Sequence, residues 1–262
     1  MAGHALHIGL NHVDPAQYDG WDGELQGCLN DAASMKALAE AAGFSTSTLI
    51  DGEATSVGVV SALASLAAQA APGDLCLVSY SGHGGQVDDT DGDEDEGQDE
   101  TWVLFDRQLL DDELRVAWSQ FPAGVRILVI SDSCHSGTVV RDDVDTRISR
   151  GMPDEVCSRD NELRRSTYRT VQAQLAGRGE VEVASSVLLI SGCQDDEVSF
   201  DGAGNGAFTQ SLLEVWAESA FQGDYPAFHA AIVANMTTQQ TPNLNSDLVT
   251  DPAFLTQRPF TV

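Results

Sequence analysis

Two short stretches of this chain combine a reactive side chain with glycine. Tyr80-Ser81-Gly82-His83-Gly84-Gly85 follows an apolar run, and Asp132-Ser133-Cys134-His135-Ser136-Gly137 follows another. A cysteine with a histidine is a thiol nucleophile with its proton shuttle. The thiolate attacks a carbonyl; the imidazole protonates the leaving amine and then activates water. Glycines beside them let backbone N–H groups approach a developing oxyanion, and the N–H groups of Gly84 and Cys134 are the candidates. His135 is a rival base, although side chains on adjacent residues diverge. His4, His7, His12 and His229 read as structural or surface residues, and Cys76 and Cys193 as buried filler.

Cys134 and His83 can meet only if the strands before them are neighbours. The pattern alternates short β-rich runs with longer Ala/Leu-rich stretches. It predicts strands over 5–10, 44–50, 75–79, 126–131 and 187–191, and helices over 32–42, 56–71, 207–218 and 227–236. Asn30 or Asp31 offers a helix cap, Gly43 a stop, and Pro72-Gly73 a terminator. The runs at 75–79 and 126–131 are nearly continuously apolar, as expected where both faces of a strand are covered. Strand and helix in alternation mean an α/β fold with a mostly parallel sheet, whose ligands bind beyond the carboxyl ends of the strands.

Composition sets the remaining bounds. The chain has 262 residues, 42 % of them hydrophobic, and a formal net charge of −28, with Lys36 as its single lysine. That length and apolar content support a folded core. Such an acidic surface repels phosphates and anionic lipid, so nucleic acid and membrane are not expected as partners, whereas cationic peptides and divalent metals are compatible. No apolar run reaches a membrane span, and the first ten residues lack a basic start and a long apolar core, so no signal peptide is expected. Five widely spaced cysteines without a Cys-x-x-Cys pair suit free thiols in a reducing compartment, hence a cytoplasmic location.

The paired stretches resemble the catalytic signature of metacaspases and their bacterial relatives among the caspase-like cysteine peptidases. In caspases the histidine stands ~50 residues before the cysteine, and here the separation is 51. Gly27-Cys28-Leu29-Asn30-Asp31-Ala32 resembles the family segment after its first strand. Ile190-Ser191-Gly192-Cys193-Gln194-Asp195-Asp196, Gly206-Ala207-Phe208-Thr209 and Gln240-Thr241-Pro242-Asn243-Leu244 resemble its later landmarks. The resemblance implies a caspase-like sandwich, a mostly parallel six-stranded sheet flanked by helices on both faces. It implies one peptidase domain over 1–262, divided into a part bearing the dyad (1–140), an Arg-rich linker (141–183) and a second part (184–262). Cys134 would be nucleophile, His83 general acid/base and Gly84 an oxyanion donor, with polypeptides as substrates and a monomer favoured over a dimer.

Metacaspases cut after Arg or Lys. By the resemblance Asp31 and Asp132 form the floor of the specificity pocket, with Cys28 and Ser81 on its walls. A guanidinium suits two carboxylates through charge-assisted, fork-like hydrogen bonds. The plainer role for Asp31 is capping the following helix. Many metacaspases also use calcium, and Asp99-Glu100 with Asp111-Asp112 look like its ligands, although the stretch between them is shorter than usual and the later family aspartate falls at Arg141, with Asp142 displaced by one. From 88 to 100, nine of thirteen residues are acidic, which reads as a loop that binds calcium or simply guides cationic substrates.

The stretch 141–180 carries eight of the twelve arginines and reads as an exposed linker with a helix near 161–176. Family members often process themselves there, which makes Arg141, Arg147, Arg150, Arg164 and Arg165 candidate sites; the alternative is that they neutralise nearby carboxylates. Two other functions stay open on sequence alone: a non-catalytic caspase-like interaction scaffold, and an acidic calcium-binding module.

Overall fold

The computed structural model describes residues 1–88, 98–134, 148–176, 181–193, 200–202, 204–237 and 240–262. Its main sheet has six strands in the order β2-β1-β3-β7-β8-β9: β1 (Gly3–Gly9), β2 (Phe44–Ile50), β3 (Leu75–Ser81), β7 (Arg126–Asp132), β8 (Ser186–Ser191) and β9 (Asn243–Asn245). All pairings are parallel except β8 with the short edge strand β9. This is the caspase-like, mostly parallel sheet that the resemblance implied.

Alternation along the central strands builds two cores. Cys76, Val78 and Tyr80 of β3, with Ile127 and Val129 of β7, face Val59 and Leu63 of α2 (Ser56–Gln69) and Trp118 of α3 (Asp111–Ser119). Leu75 and Leu77, with Leu128 and Ile130, face Met35 and Leu38 of α1 (Cys28–Ala41), Phe208 and Leu212 of α6 (Ala207–Trp216) and Phe228 of α7 (Tyr225–Asn235). Both faces are covered, which is why these strands read as continuous apolar runs. Leu77, Val78, Ile127 and Leu128 are fully buried, each worth about 1.5–3 kcal/mol relative to exposure.

Several expected boundaries shift for local reasons. The first helix begins at Cys28, not 32, because the Asn11 side-chain oxygen accepts from the N–H groups of Cys28 (3.0 Å) and Leu29 (3.4 Å). Asp31 therefore lies inside the first turn and is not a cap. Gly43 adopts φ +90° at the expected stop, a conformation open mainly to glycine.

The acidic stretch is not wholly a loop. Asp88 ends β4 (Gly84–Asp88) and Gln98 begins β5 (Gln98–Val103), which with β6 (Gln108–Leu110) form a separate antiparallel sheet; residues 89–97 lie outside the described residues. The stretch expected as an exposed linker carries two helices, α4 (Asp154–Leu163) and α5 (Arg165–Ala176). Arg150, Met152, Asp160, Tyr168 and Gln172 within it are buried. No described helix is long and apolar enough to cross a membrane.

Candidate active site

Ser81 and Asp132 are the last paired residues of the parallel strands β3 and β7. His83 and Cys134 each follow two residues later, at the carboxyl edge of the sheet. Tyr80 fixes the turn before the first of them: its hydroxyl donates to the carbonyl oxygens of His83 (2.6 Å) and Val103 (3.0 Å), and its ring stacks on Trp102 at 4.5 Å. A side chain on Gly82 would stand 2.6 Å from the Tyr80 hydroxyl, so glycine is required there for steric reasons.

The His83 ring is oriented by a loop that connects β1 to α1. Its Nε2 lies 3.2 Å from the Gly23 carbonyl oxygen. A carbonyl only accepts, so Nε2 carries the hydrogen and Nδ1 presents its lone pair. Nδ1 is buried and without a hydrogen-bond partner among the described residues. The Trp21 ring packs on the imidazole at 4.8 Å. Burial pushes the His83 pKa down to about 4, against the Gly23 hydrogen bond, so the ring is neutral near pH 7.

The pocket beside these residues already holds an arginine, and it belongs to this chain. The Arg150 guanidinium is fully buried. Its Nη2 donates to Asp31 Oδ2 (2.7 Å) and Asp201 Oδ1 (2.9 Å), and its Nη1 to Ser81 Oγ (2.9 Å) and the Asp132 carbonyl (3.2 Å). Asp132 Oδ2 completes the cage at 2.9 Å. Each carboxylate is held in turn: Asp31 by Ser81 Oγ and the Gly206 N–H, Asp132 by the N–H and hydroxyl of Thr209, and Asp201 by the N–H groups of Gln26 and Gly27. Three carboxylates around one cation leave excess negative charge in the pocket. Burial outweighs the pull of the guanidinium and raises the Asp31 pKa to about 6. The Cys28 thiol is buried next to Ser81 and Arg150, with its pKa pushed up to about 12, so it is a neutral wall rather than a second nucleophile.

The backbone around Arg150 is held by isolated bridges at Ser149 and Gly151, with a bend at Arg150 between them. The Ile148 carbonyl accepts from Asp201 N–H (2.9 Å), and Ser149 bridges antiparallel to Phe200. The Arg150 carbonyl accepts from Gly84 N–H (2.9 Å), and the Met152 N–H donates to the Gly84 carbonyl (2.7 Å). Cys134 is buried beneath this segment, with Sγ 3.9 Å from Ser149 Oγ. The Gly151 backbone is among the neighbours that influence the His83 ring. A cavity of about 550 Å³ lies elsewhere, at the amino ends of the strands near Gly73, Arg126 and Ser186.

The expected pocket residues Asp31, Asp132, Cys28 and Ser81 thus converge on one guanidinium. The proposed metal ligands form a separate group. The Thr101–Leu110 pairing brings the adjacent Glu100 and Asp111 to one end of the small sheet. Asp99 is buried and accepts from Gln172 Nε2 (2.8 Å). Asp111 and Asp112 open α3, where carboxylates complement the helix dipole. Among the described residues no three His, Cys, Asp or Glu side chains are grouped to hold a metal ion.

Of the linker arginines singled out above that lie among the described residues, Arg150 alone fills the pocket. Arg164 donates to the carbonyls of Gln17 (2.7 Å) and Asp106 (2.8 Å) and stands over the Tyr18 ring. Arg165 opens α5, and Arg141 and Arg147, with His135 and Asp142, lie outside the described residues. Sequence reasoning did not reach Asp201, Gly206, Thr209, Gly23 or Trp21. Asp201 is one of 41 acidic residues, and only folding brings it near Asp31. Gly206 and Thr209 sit within a recognised landmark and could have been assigned to the pocket on that basis.

The caspase-domain family model matches residues 2–254. Metacaspase-4 of Arabidopsis thaliana is 35 % identical over 208 residues, 75 % of this chain and 48 % of the relative. Metacaspase-1 of Schizosaccharomyces pombe is 30 % identical over 264 residues, 83 % of this chain and 60 % of the relative. The chain thus spans about half to three-fifths of the length of these relatives. Among solved structures, protein GSU0716 from Geobacter sulfurreducens superposes with a TM-score of 0.89 at 48 % identity, covering 100 % of this chain and 99 % of that one. Caspase-1 from Spodoptera frugiperda shares the fold, with a TM-score of 0.62 at 14 % identity over 95 % of this chain and 89 % of that one. This chain belongs to the caspase-domain family of cysteine peptidases.

Proposed function

We propose that the protein is an endopeptidase that cuts after arginine, and less readily after lysine, and that its own Arg150–Gly151 bond is one of its substrates. One observation carries this reading: the Arg150 side chain fills a three-carboxylate pocket while its carbonyl oxygen accepts from the Gly84 N–H, and the hydroxyl of the preceding Ser149 lies 3.9 Å from the Cys134 sulfur.

The chemistry follows from the groups present. Nδ1 of His83 takes the thiol proton, and the Cys134 sulfur attacks the arginyl carbonyl carbon. Charge developing on the oxygen is met by the Gly84 N–H. The His83 proton passes to the leaving amine, the C–N bond breaks, and an arginyl thioester remains on Cys134. Water, deprotonated by His83, then releases the acid. Gly23 holds the ring so that Nδ1 serves as the shuttle in each step.

Calcium enters the same proposal as a stimulator on the family resemblance alone; Asp99, Glu100, Asp111 and Asp112 would have to draw together to hold it, and no step of the chemistry passes through it.

The test uses the purified chain with fluorogenic peptides ending in Arg, Lys or Asp, with calcium or with chelator. Arginyl peptides should be turned over fastest and aspartyl peptides not at all. Cys134→Ala should abolish turnover and keep the chain uncut at Arg150. Asp31→Ala should lower arginyl kcat/KM at least about a hundredfold, since a buried guanidinium loses a charged partner worth roughly 3 kcal/mol, while Cys134 remains alkylatable. Arginyl turnover that persists in Cys134→Ala would refute the reading. Activity unchanged in excess chelator would remove calcium from it.

A further inference from the structure

The contacts on the two sides of the Arg150–Gly151 bond are independent of the bond itself. On the acyl side are the carboxylate cage and the Ile148 and Ser149 backbone contacts. On the amine side Met152 is 1 % exposed among Val13, Tyr18, Val103 and Val156, and its N–H is bound to Gly84. Beyond it, α4 and α5 are tied to the body of the protein through polar contacts. Cys157 and Asn161 donate to the Gln86 carbonyl, and Asp160 accepts from both Gln108 Nε2 (2.8 Å) and the Tyr168 hydroxyl (2.6 Å). Arg164 donates to Gln17 and Asp106, and Gln172 to the Asp88 carbonyl and Asp99. Cutting the bond removes none of these.

We propose that the new amine of Gly151 stays seated after the cut and that the enzyme re-forms the Arg150–Gly151 bond, acting on itself as a peptide ligase. The inference rests on the cut at Arg150 read above. In the ligation step the Gly151 nitrogen attacks the arginyl thioester, the C–N bond forms, and the C–S bond breaks. The nitrogen's surplus proton passes through His83 to the Cys134 sulfur. Starting from the hydrolysed chain, the Arg150 carboxylic acid first condenses with the Cys134 thiol and releases one water, the reverse of the deacylation step. No co-reactant is needed.

The physical ground is effective concentration. A well-oriented neighbouring group reacts as if present at ~10⁵ M or more, far above water, provided its anchor holds. Met152, α4 and α5 supply that anchor, so the thioester returns to intact chain more often than it reaches water. Hydrolysis then ends in a balance of cut and intact chain instead of going to completion.

The experiment starts from wild-type chain allowed to cut itself, with the cut form purified under native conditions. Its two fragments should co-elute in gel filtration. On further incubation at least about a tenth of the chain should regain the intact mass, one water lighter than the two fragments together. Regain should be independent of protein concentration and should stop when Cys134 is alkylated after the cut. Tyr168→Ala, which loosens α4 and α5 while the β7–β8 pairing keeps the fragments together, should abolish regain and drive cutting to completion. The inference is overturned if co-eluting fragments with full arginyl-peptide turnover never regain the intact chain. It is also overturned if the fragments part on cutting, or if the chain turns over arginyl peptides without any cut at Arg150. Absence of both turnover and cutting instead defeats the peptidase reading beneath it.

Discussion

The Arg150 carbonyl oxygen lies 2.9 Å from the Gly84 N–H, which brings a residue 66 positions further along the chain onto the group proposed as the oxyanion donor. Its guanidinium is held at the same time by Asp31, Asp132 and Asp201. On the proposed reading the protein closes its own cleft with a segment that mimics a substrate, and access by other peptides depends on that segment leaving.

Arg150→Gln removes the cation and with it the competitor. This variant should stay uncut at position 150 and turn over arginyl peptides with a shorter lag than wild type, read from progress curves. It also takes the cation from three buried carboxylates, so urea unfolding should show a loss of about 3 kcal/mol. An unchanged lag would mean that the segment does not limit access.

Gly206 lines the pocket with no side chain. A Cβ there would stand 2.6 Å from the Arg150 guanidinium, and Gly206 has φ −59°, which alanine adopts without strain. Gly206→Ala should therefore leave the fold intact and narrow the slot. Arginyl kcat/KM should fall at least about tenfold, the order of 1–3 kcal/mol for overpacking, while the slimmer lysyl side chain loses less. The ratio of the two specificity constants is the measurement.

Acid inactivation should report the pocket before the histidine. The Asp31 pKa is raised to about 6 even with the guanidinium beside it, whereas His83 is depressed to about 4. In the open enzyme the guanidinium that lowers the Asp31 pKa is gone and Asp132 still raises it, while entering water relieves part of the burial, so the carboxyl stays raised above the ordinary aspartate range. Only the ionised carboxylate binds arginine. Arginyl kcat/KM, which reports the free enzyme, should accordingly fall as pH drops through that raised pKa. Cys134 alkylation should keep its dependence on His83 and show no such limb.

Stability should fall with acid through a different histidine. His7 is buried in β1, with Nδ1 2.8 Å from Ser79 Oγ and Nε2 unpartnered among the described residues. Burial pushes its pKa from 6.5 down to about 4. The unfolded chain binds the proton first, so the stability contribution is complete above 6.5 and is lost as pH falls through that window. His7→Gln should flatten the fall in unfolding free energy between pH 6.5 and 4 by up to about 3 kcal/mol.

Much of this was legible in the chain because it is local. The apolar runs of β3 and β7, the Gly43 stop and the glycine turns around His83 and Cys134 follow from side-chain patterning and backbone freedom within a few residues. A family landmark supplied Asp31 and Asp132 as a pair. The small sheet was hidden because strongly acidic residues occupy its strand ends, and strand propensity there is set by cross-strand partners that no short window contains. Likewise, α1 starts early because Asn11, seventeen residues upstream of Cys28, caps it.

The sequence by itself determined an α/β sheet with a thiol and an imidazole at strand ends, since hydrophobic period and turn chemistry act over short distances. Only the tertiary structure decided which of many arginines enters the carboxylate pocket, and that Asp201 and Gly206 complete it. Those choices depend on long-range register and on burial, where one guanidinium is desolvated only because three carboxylates from distant segments meet it.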